Sequence, residues 1–157
     1  MRERTKENER RVREEMAGRI AAEIPFALEA THAMLARGGL NGKNGLTFFV
    51  DSGRASEAAL AAPRQTLEDM GIPIPETKLQ EGPGGGGGAY ASGLFPIKSL
   101  SLGPLEQKDL KGDYGARTPA TYWAGGFIQD GLISHRFLRN YSSWTLDFDS
   151  RTYLFEK

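Results

Sequence analysis

The residues best placed to do chemistry are Asp51, Ser52 and Gly53, which end the apolar run Phe48-Phe49-Val50. Strand-forming residues that stop on a carboxylate, a small hydroxyl residue and a glycine put a charged group at the tip of a buried strand. An isolated charge there is too costly to leave unsatisfied. The carboxylate must be hydrogen-bonded, paired or functional, and general acid–base proton transfer is the chemistry open to it. The bland alternative is an ordinary surface turn, because the tripeptide arises often by chance.

Other residue sets offer less. His32 and His135 are the only histidines, and lone histidines pack or hydrogen-bond more often than they bind metal. No metal site and no cofactor is expected. Ser134 and His135 do not make a nucleophile and base with an aspartate, since neighbours on one helix point in different directions and no nucleophile elbow surrounds them. Gly84 to Gly88 are five glycines in a row. They read as a mobile loop, and they lack the Gly-Lys-Ser/Thr ending of a phosphate loop. Asp147 and Asp149 flank a predicted hairpin turn and do not read as paired catalytic carboxylates.

The elements that must position Asp51 come from a chain of 157 residues, enough for one domain with a real core, or a domain plus an appendage. Twenty Lys and Arg balance twenty Asp and Glu, which argues against a nucleic-acid surface. Cysteine is absent, so disulfides, thiol catalysis and zinc–cysteine sites are excluded. No apolar run reaches the length of a membrane span. The charged N-terminus lacks the apolar core of an export signal, although a piece cut from an exported bacterial protein would look the same.

Residues 1–23 read as a charged helical extension or linker. Glu7 with Arg11 and Glu9 with Arg13 are favourable pairs on a helix, and Pro25 ends any helix near Ile24. Residues 24–157 read as the domain proper. Ile24 to Leu40 holds two short strands. Asn41-Gly42 and Asn44-Gly45 mark a hairpin turn before the strand that reaches Asp51. Pro63 to Met70 is a short helix capped by Gly71. Leu94 to Leu102 is a strand turned by Gly103-Pro104. Lys111 to Gly115 is polar and turn-like, and Tyr122 to Ile128 is aromatic and apolar. Asp130 N-caps a helix that runs towards Asn140, and Trp144 to Phe155 forms a closing hairpin.

This order resembles the retropepsin-like aspartic protease domains of bacterial type (clan AA). The residues that carry the resemblance are Asn-Gly and an apolar strand before Asp51-Ser52-Gly53, then Asp130-Gly131-Leu132-Ile133, Phe137-Leu138, and a C-terminal hairpin with Asp147 before its turn. It covers about residues 24–157. It implies a mostly β fold, a closed β-barrel or sandwich with short helices. It implies that Asp51 is an acid/base that activates water for attack on a peptide carbonyl. A second aspartate must share its proton, because like charges about 3 Å apart cannot both ionise. One such domain supplies one aspartate, so the resemblance implies a homodimer or a tandem second lobe. Ser52 would tie the two strand tips together, and Gly53 would let its backbone N–H approach the carboxylate. Residues 83–93 would be the flap over a bound peptide or protein substrate, with Gly86, Gly87, Gly88 and Tyr90 in it.

Two residues depart from the pattern. Arg54 stands where a small residue is usual, and puts a bulky cation beside Asp51. Ser134 stands where the apolar-apolar-Gly element has its glycine, beneath the catalytic strand. Both departures favour the alternative reading, a catalytically inert retropepsin-like module for peptide binding or dimerisation. A third reading is an unrelated β-barrel in which Asp51 is solvated and alone.

Overall fold

A computed structural model describes residues 6–29, 33–75, 79–83, 89–115 and 128–157. In chain order the elements are α1 (Lys6–Met16), β1 (Ile20–Glu29), β2 (Ala33–Leu40), β3 (Lys43–Asp51), β4 (Leu60–Pro63), α2 (Arg64–Asp69), β5 (Gln80–Pro83) and β6 (Ala89–Leu102). They continue with β7 (Leu105–Gly115), β8 (Gly131–Ser134), α3 (His135–Leu138), β9 (Ser143–Asp147) and β10 (Thr152–Glu156). The protein is mostly β, with short helices, as expected.

The strands run β5-β6-β7-β4-β8-β3-β2-β1-β10-β9, and β6 also pairs with β2. That extra pairing closes β2, β3, β8, β4, β7 and β6 into a barrel. Alternation along β3 shows why the barrel has an inside. Leu46, Phe48 and Val50 are buried, while Thr47, Phe49 and Asp51 on the other face are partly exposed. Phe48 meets Leu40, Leu60, Ile97, Leu100, Ile133 and Phe137 in one core cluster, all fully or almost fully buried. The β2–β6 contact depends on glycine: a Cβ on Gly38 would lie 2.2 Å from the Ser101 carbonyl oxygen.

The Asn-Gly hairpin joins β2 to β3. Asn41 and Gly42 have φ of 52° and 80°, the left-handed values that favour these residues in a tight turn. The Asn41 side chain also accepts from the backbone N–H groups of Lys98 and Ser99, at 2.8 and 3.2 Å, tying the turn to β6. The short helix after Pro63 and the C-terminal hairpin form where the sequence places them.

Several local expectations give way to tertiary pairing. The N-terminal helix ends at Met16, well before Ile24, because Gly18 takes φ +82° and β10 offers a partner to Ile20–Pro25. Strand β1 therefore begins inside the stretch read as a lead-in. Arg13 donates to Asp147, Ser150 and Glu23, a tertiary contact absent from the helix-pair expectation. Lys111–Gly115 is no turn: it lies in β7, paired with both β6 and β4. Gly112 is there because a Cβ would lie 2.4 Å from the Phe95 ring. Asp130 caps no helix. It precedes β8, and α3 is capped by Ser134, whose Oγ accepts from the Arg136 N–H at 3.1 Å. No described helix is long and apolar enough to cross a membrane.

Candidate active site

Strand β3 delivers Asp51 to its tip beside β8. The pairing is parallel, with Phe48 opposite Gly131, Val50 opposite Ile133 and Asp51 opposite Ser134. Asp130 sets this register. Its carboxylate accepts from the Thr47 N–H at 2.7 Å, and its own N–H donates to the Thr47 carbonyl at 2.8 Å. Thr66 adds a hydroxyl bond to the Asp130 carbonyl at 2.9 Å, so α2 supports the same junction.

Asp51 is half-buried, and Ser52 and Gly53 are exposed. The Gly53 N–H donates to Asp51 Oδ1 at 3.0 Å. The Arg54 N–H donates to the Asp51 carbonyl at 3.3 Å, and the Ala55 N–H to that of Gly53 at 3.0 Å. The carboxylate thus sits at a tight turn, with one backbone donor, the Gly53 N–H, on it. A Cβ at Gly53 would lie 3.4 Å from Asp51 Oδ1, ordinary van der Waals contact. The position supplies an N–H, and this close approach would tolerate a small side chain.

Behind the turn, residues 54–59 are fastened to the neighbouring strands. The Ser134 hydroxyl, fully buried, donates to the Ala58 carbonyl at 2.5 Å. Ser134 N–H donates to the Ala59 carbonyl at 3.0 Å and His135 N–H to that of Arg54 at 3.2 Å. Ala59 N–H reaches the Lys111 carbonyl on β7 at 2.7 Å. Ser134 therefore lies beside the Asp51 strand and bonds the segment that leaves it, where a glycine would supply no hydroxyl.

Arg54 does not project as a free cation. Its Nη2 donates to Asp113 Oδ2 at 2.7 Å, and the two side chains are 26% and 8% exposed. Asp113 was hidden in the sequence inside the stretch read as a turn. The signal that could have found it is its place among β7 residues that pack into the barrel, next to the buried Tyr114.

The remaining residues proposed from sequence are placed as follows. Gly86, Gly87 and Gly88 lie outside the described residues, as do His32 and Tyr122–Phe127. Tyr90 lies in β6, its backbone paired with Gly82 of β5 in an antiparallel hairpin. His135 heads α3 as an exposed residue. Asp147 does flank the hairpin turn, where its Oδ1 accepts from the Asp149 and Ser150 N–H groups at 3.1 Å each.

No family model and no curated protein matches the sequence. Solved structures do. The chain is similar to a retropepsin-like aspartic protease from Rickettsia conorii, with 16% identity, a TM-score of 0.56, and coverage of 86% of this chain and 88% of that one. It is also similar to the retroviral protease-like domain of Ddi1 from Leishmania major, with 14% identity, a TM-score of 0.46, and coverage of 83% and 97%. At such identity a likeness speaks to architecture. The first match, together with the closed barrel and the Asp51 strand tip, gives this chain the retropepsin-like fold.

Proposed function

We propose that this chain is an aspartic peptidase domain in which Asp51 is the catalytic carboxylate. The observation that carries the reading is the position of Asp51: a half-buried aspartate at the tip of a barrel strand, with the Gly53 N–H on its carboxylate at 3.0 Å, in a retropepsin-like fold. In this reading the chemistry needs a second Asp51-type carboxylate. It comes from a second copy of the chain related by a two-fold axis, or from a second lobe of the same kind. The two share one proton. The ionised member takes a proton from water as the water attacks the peptide carbonyl, and the protonated member polarises that carbonyl.

Ser52 has the part of holding the two tips together. The β5–β6 hairpin, with Tyr90 and the glycines of residues 84–88, has the part of the flap. The substrate is an extended peptide or a protein segment. Cleavage of a peptide library at acidic and neutral pH, with oligomeric state read on the same samples, tests this. The expected result is cleavage that tracks the paired species. A well-folded dimer that cleaves nothing would leave an inert binding module.

A further inference from the structure

The face of β3 that ends in Asp51 continues backwards into a groove. Thr47, Phe49 and Asp51 share that outward face. Phe49 pairs with Leu35 of β2, and Leu35 pairs with Ala27 of β1. Two residues back along β3, Thr47 pairs with Arg37. Ala27, Leu35, Arg37, Thr47, Met70 and Ile128 are among the residues lining a cavity of about 860 Å³, a volume typical of ligand sites. Ile128, one of its apolar walls, is left 68% exposed. The separation of Thr47 from Asp51 along the strand is about 13 Å at the rise of a β-strand.

Arg37 gives this groove its chemistry. One guanidinium nitrogen donates to the Gly45 carbonyl at 3.0 Å and to the Thr47 hydroxyl at 2.9 Å. The side chain is thereby anchored to β3, yet it is exposed and takes part in no ion pair among the described residues. A guanidinium fixed by one nitrogen keeps the rest of its donor fork for a ligand carboxylate. The lining carries two acids as well, Glu29 and Asp130. Asp130 spends one oxygen on the Thr47 N–H. An extended peptide suits both signs: its N–H groups are donors for the acids, and an acidic side chain is the partner for Arg37.

We propose that this groove is a distal subsite for an extended peptide whose scissile bond lies at Asp51, and that Arg37 selects an acidic side chain there. This rests on the reading of Asp51 as catalytic. An extended peptide advances at about the same rise per residue as β3 itself, so the selected side chain lies about three to five residues from the cleaved bond. The test uses capped peptides in which each position in turn carries Glu, Gln or Lys. Wild type should prefer Glu to Lys at one of those distal positions by about three- to tenfold in kcat/KM. Arg37→Gln should abolish the preference, Arg37→Lys should retain part of it, and Arg37→Glu should reverse it. A reversal is what a merely structural role does not produce, and Arg37 is exposed, so its variants keep the core intact.

Binding is read separately from turnover. NMR follows the Arg37 side-chain Nε–H and the Gly45 and Thr47 amides as the Glu peptide, then its Lys counterpart, is added. All three signals should move with the Glu peptide and much less with the Lys peptide. Such shifts in a chain that cleaves nothing would sink the peptidase reading and leave an acidic-peptide site at Arg37. Cleavage with no distal charge preference, or with one that Arg37→Gln leaves unchanged, would overturn the proposal while the peptidase reading stands. Neither cleavage nor shifts would overturn both.

Discussion

Asp51 and Ser134 stand opposite one another in the parallel pairing of β3 with β8. One ends its strand as a half-buried carboxylate, and the other ends its strand as a fully buried hydroxyl. Through its bonds to the Ala58 carbonyl and from the Arg136 N–H, Ser134 fastens the chain leaving Asp51 to the start of α3. Ser134→Ala should therefore cost about 1–3 kcal/mol in denaturant unfolding, because it strands a buried carbonyl. The same variant should loosen the turn and raise amide exchange at residues 54–58. Unchanged stability would show that the hydroxyl merely fills space.

Asp130 was legible as a polar residue before an apolar run, but its work is different from helix capping. Asp130→Ala removes the acceptor of the Thr47 N–H in the register that aims β3. A loss of about 1–3 kcal/mol is expected by thermal or urea unfolding. If Asp51 depends on that register, cleavage by the folded variant should also fall, in kcat more than in KM.

Phe48 lies behind the candidate site, fully buried between β8 and β2. Phe48→Ala should cost about 3–5 kcal/mol, from lost burial and the cavity left behind. Circular dichroism melting measures it, and a loss under about 1 kcal/mol would mean that the barrel collapses around the gap.

The N-terminal helix is held to the C-terminal hairpin by Arg13, which donates to Asp147 Oδ2 at 2.6 and 2.9 Å. Burial alone would raise the Asp147 pKa, but bonds from the Ser150 backbone and from Arg13 outweigh it and hold the carboxyl below its ordinary value. The folded pKa is thus lower than the unfolded one. The associated stability is present above the unfolded value of about 4, and is lost as pH falls through and below it. Asp147→Asn should flatten that acid limb of the stability curve. Arg13→Ala should cost about 1 kcal/mol near neutral pH, less at high salt.

Much of the fold was legible because its signals are local. Asn41-Gly42 needs left-handed backbone, the alternation of Leu46, Phe48 and Val50 needs one buried face, and Asp51-Ser52-Gly53 stops the strand between them. What was missed depends on partners distant in sequence. Asp113 looked like a turn residue until Arg54, far from it in the chain, was brought alongside. Ile20–Ile24 looked like the tail of a helix until β10 paired with it. Asp130 was noticed, yet it was given the helix-capping task that its immediate neighbours suggested, and Ser134 was noticed only as a departure from the glycine of the resembled pattern. Propensity cannot register a bond to Ala58 or Thr47.

The most direct measurement compares wild type with Asp51→Asn on one peptide that the wild type cleaves, at matched oligomeric state and verified fold. The exchange keeps the side chain's shape and removes its capacity to take up a proton. The expected result is a fall in kcat of about 10²–10⁴ or more, with the fold and the assembly unchanged. A variant that cleaves within a few-fold of wild type would contradict the assignment of Asp51 as the catalytic carboxylate.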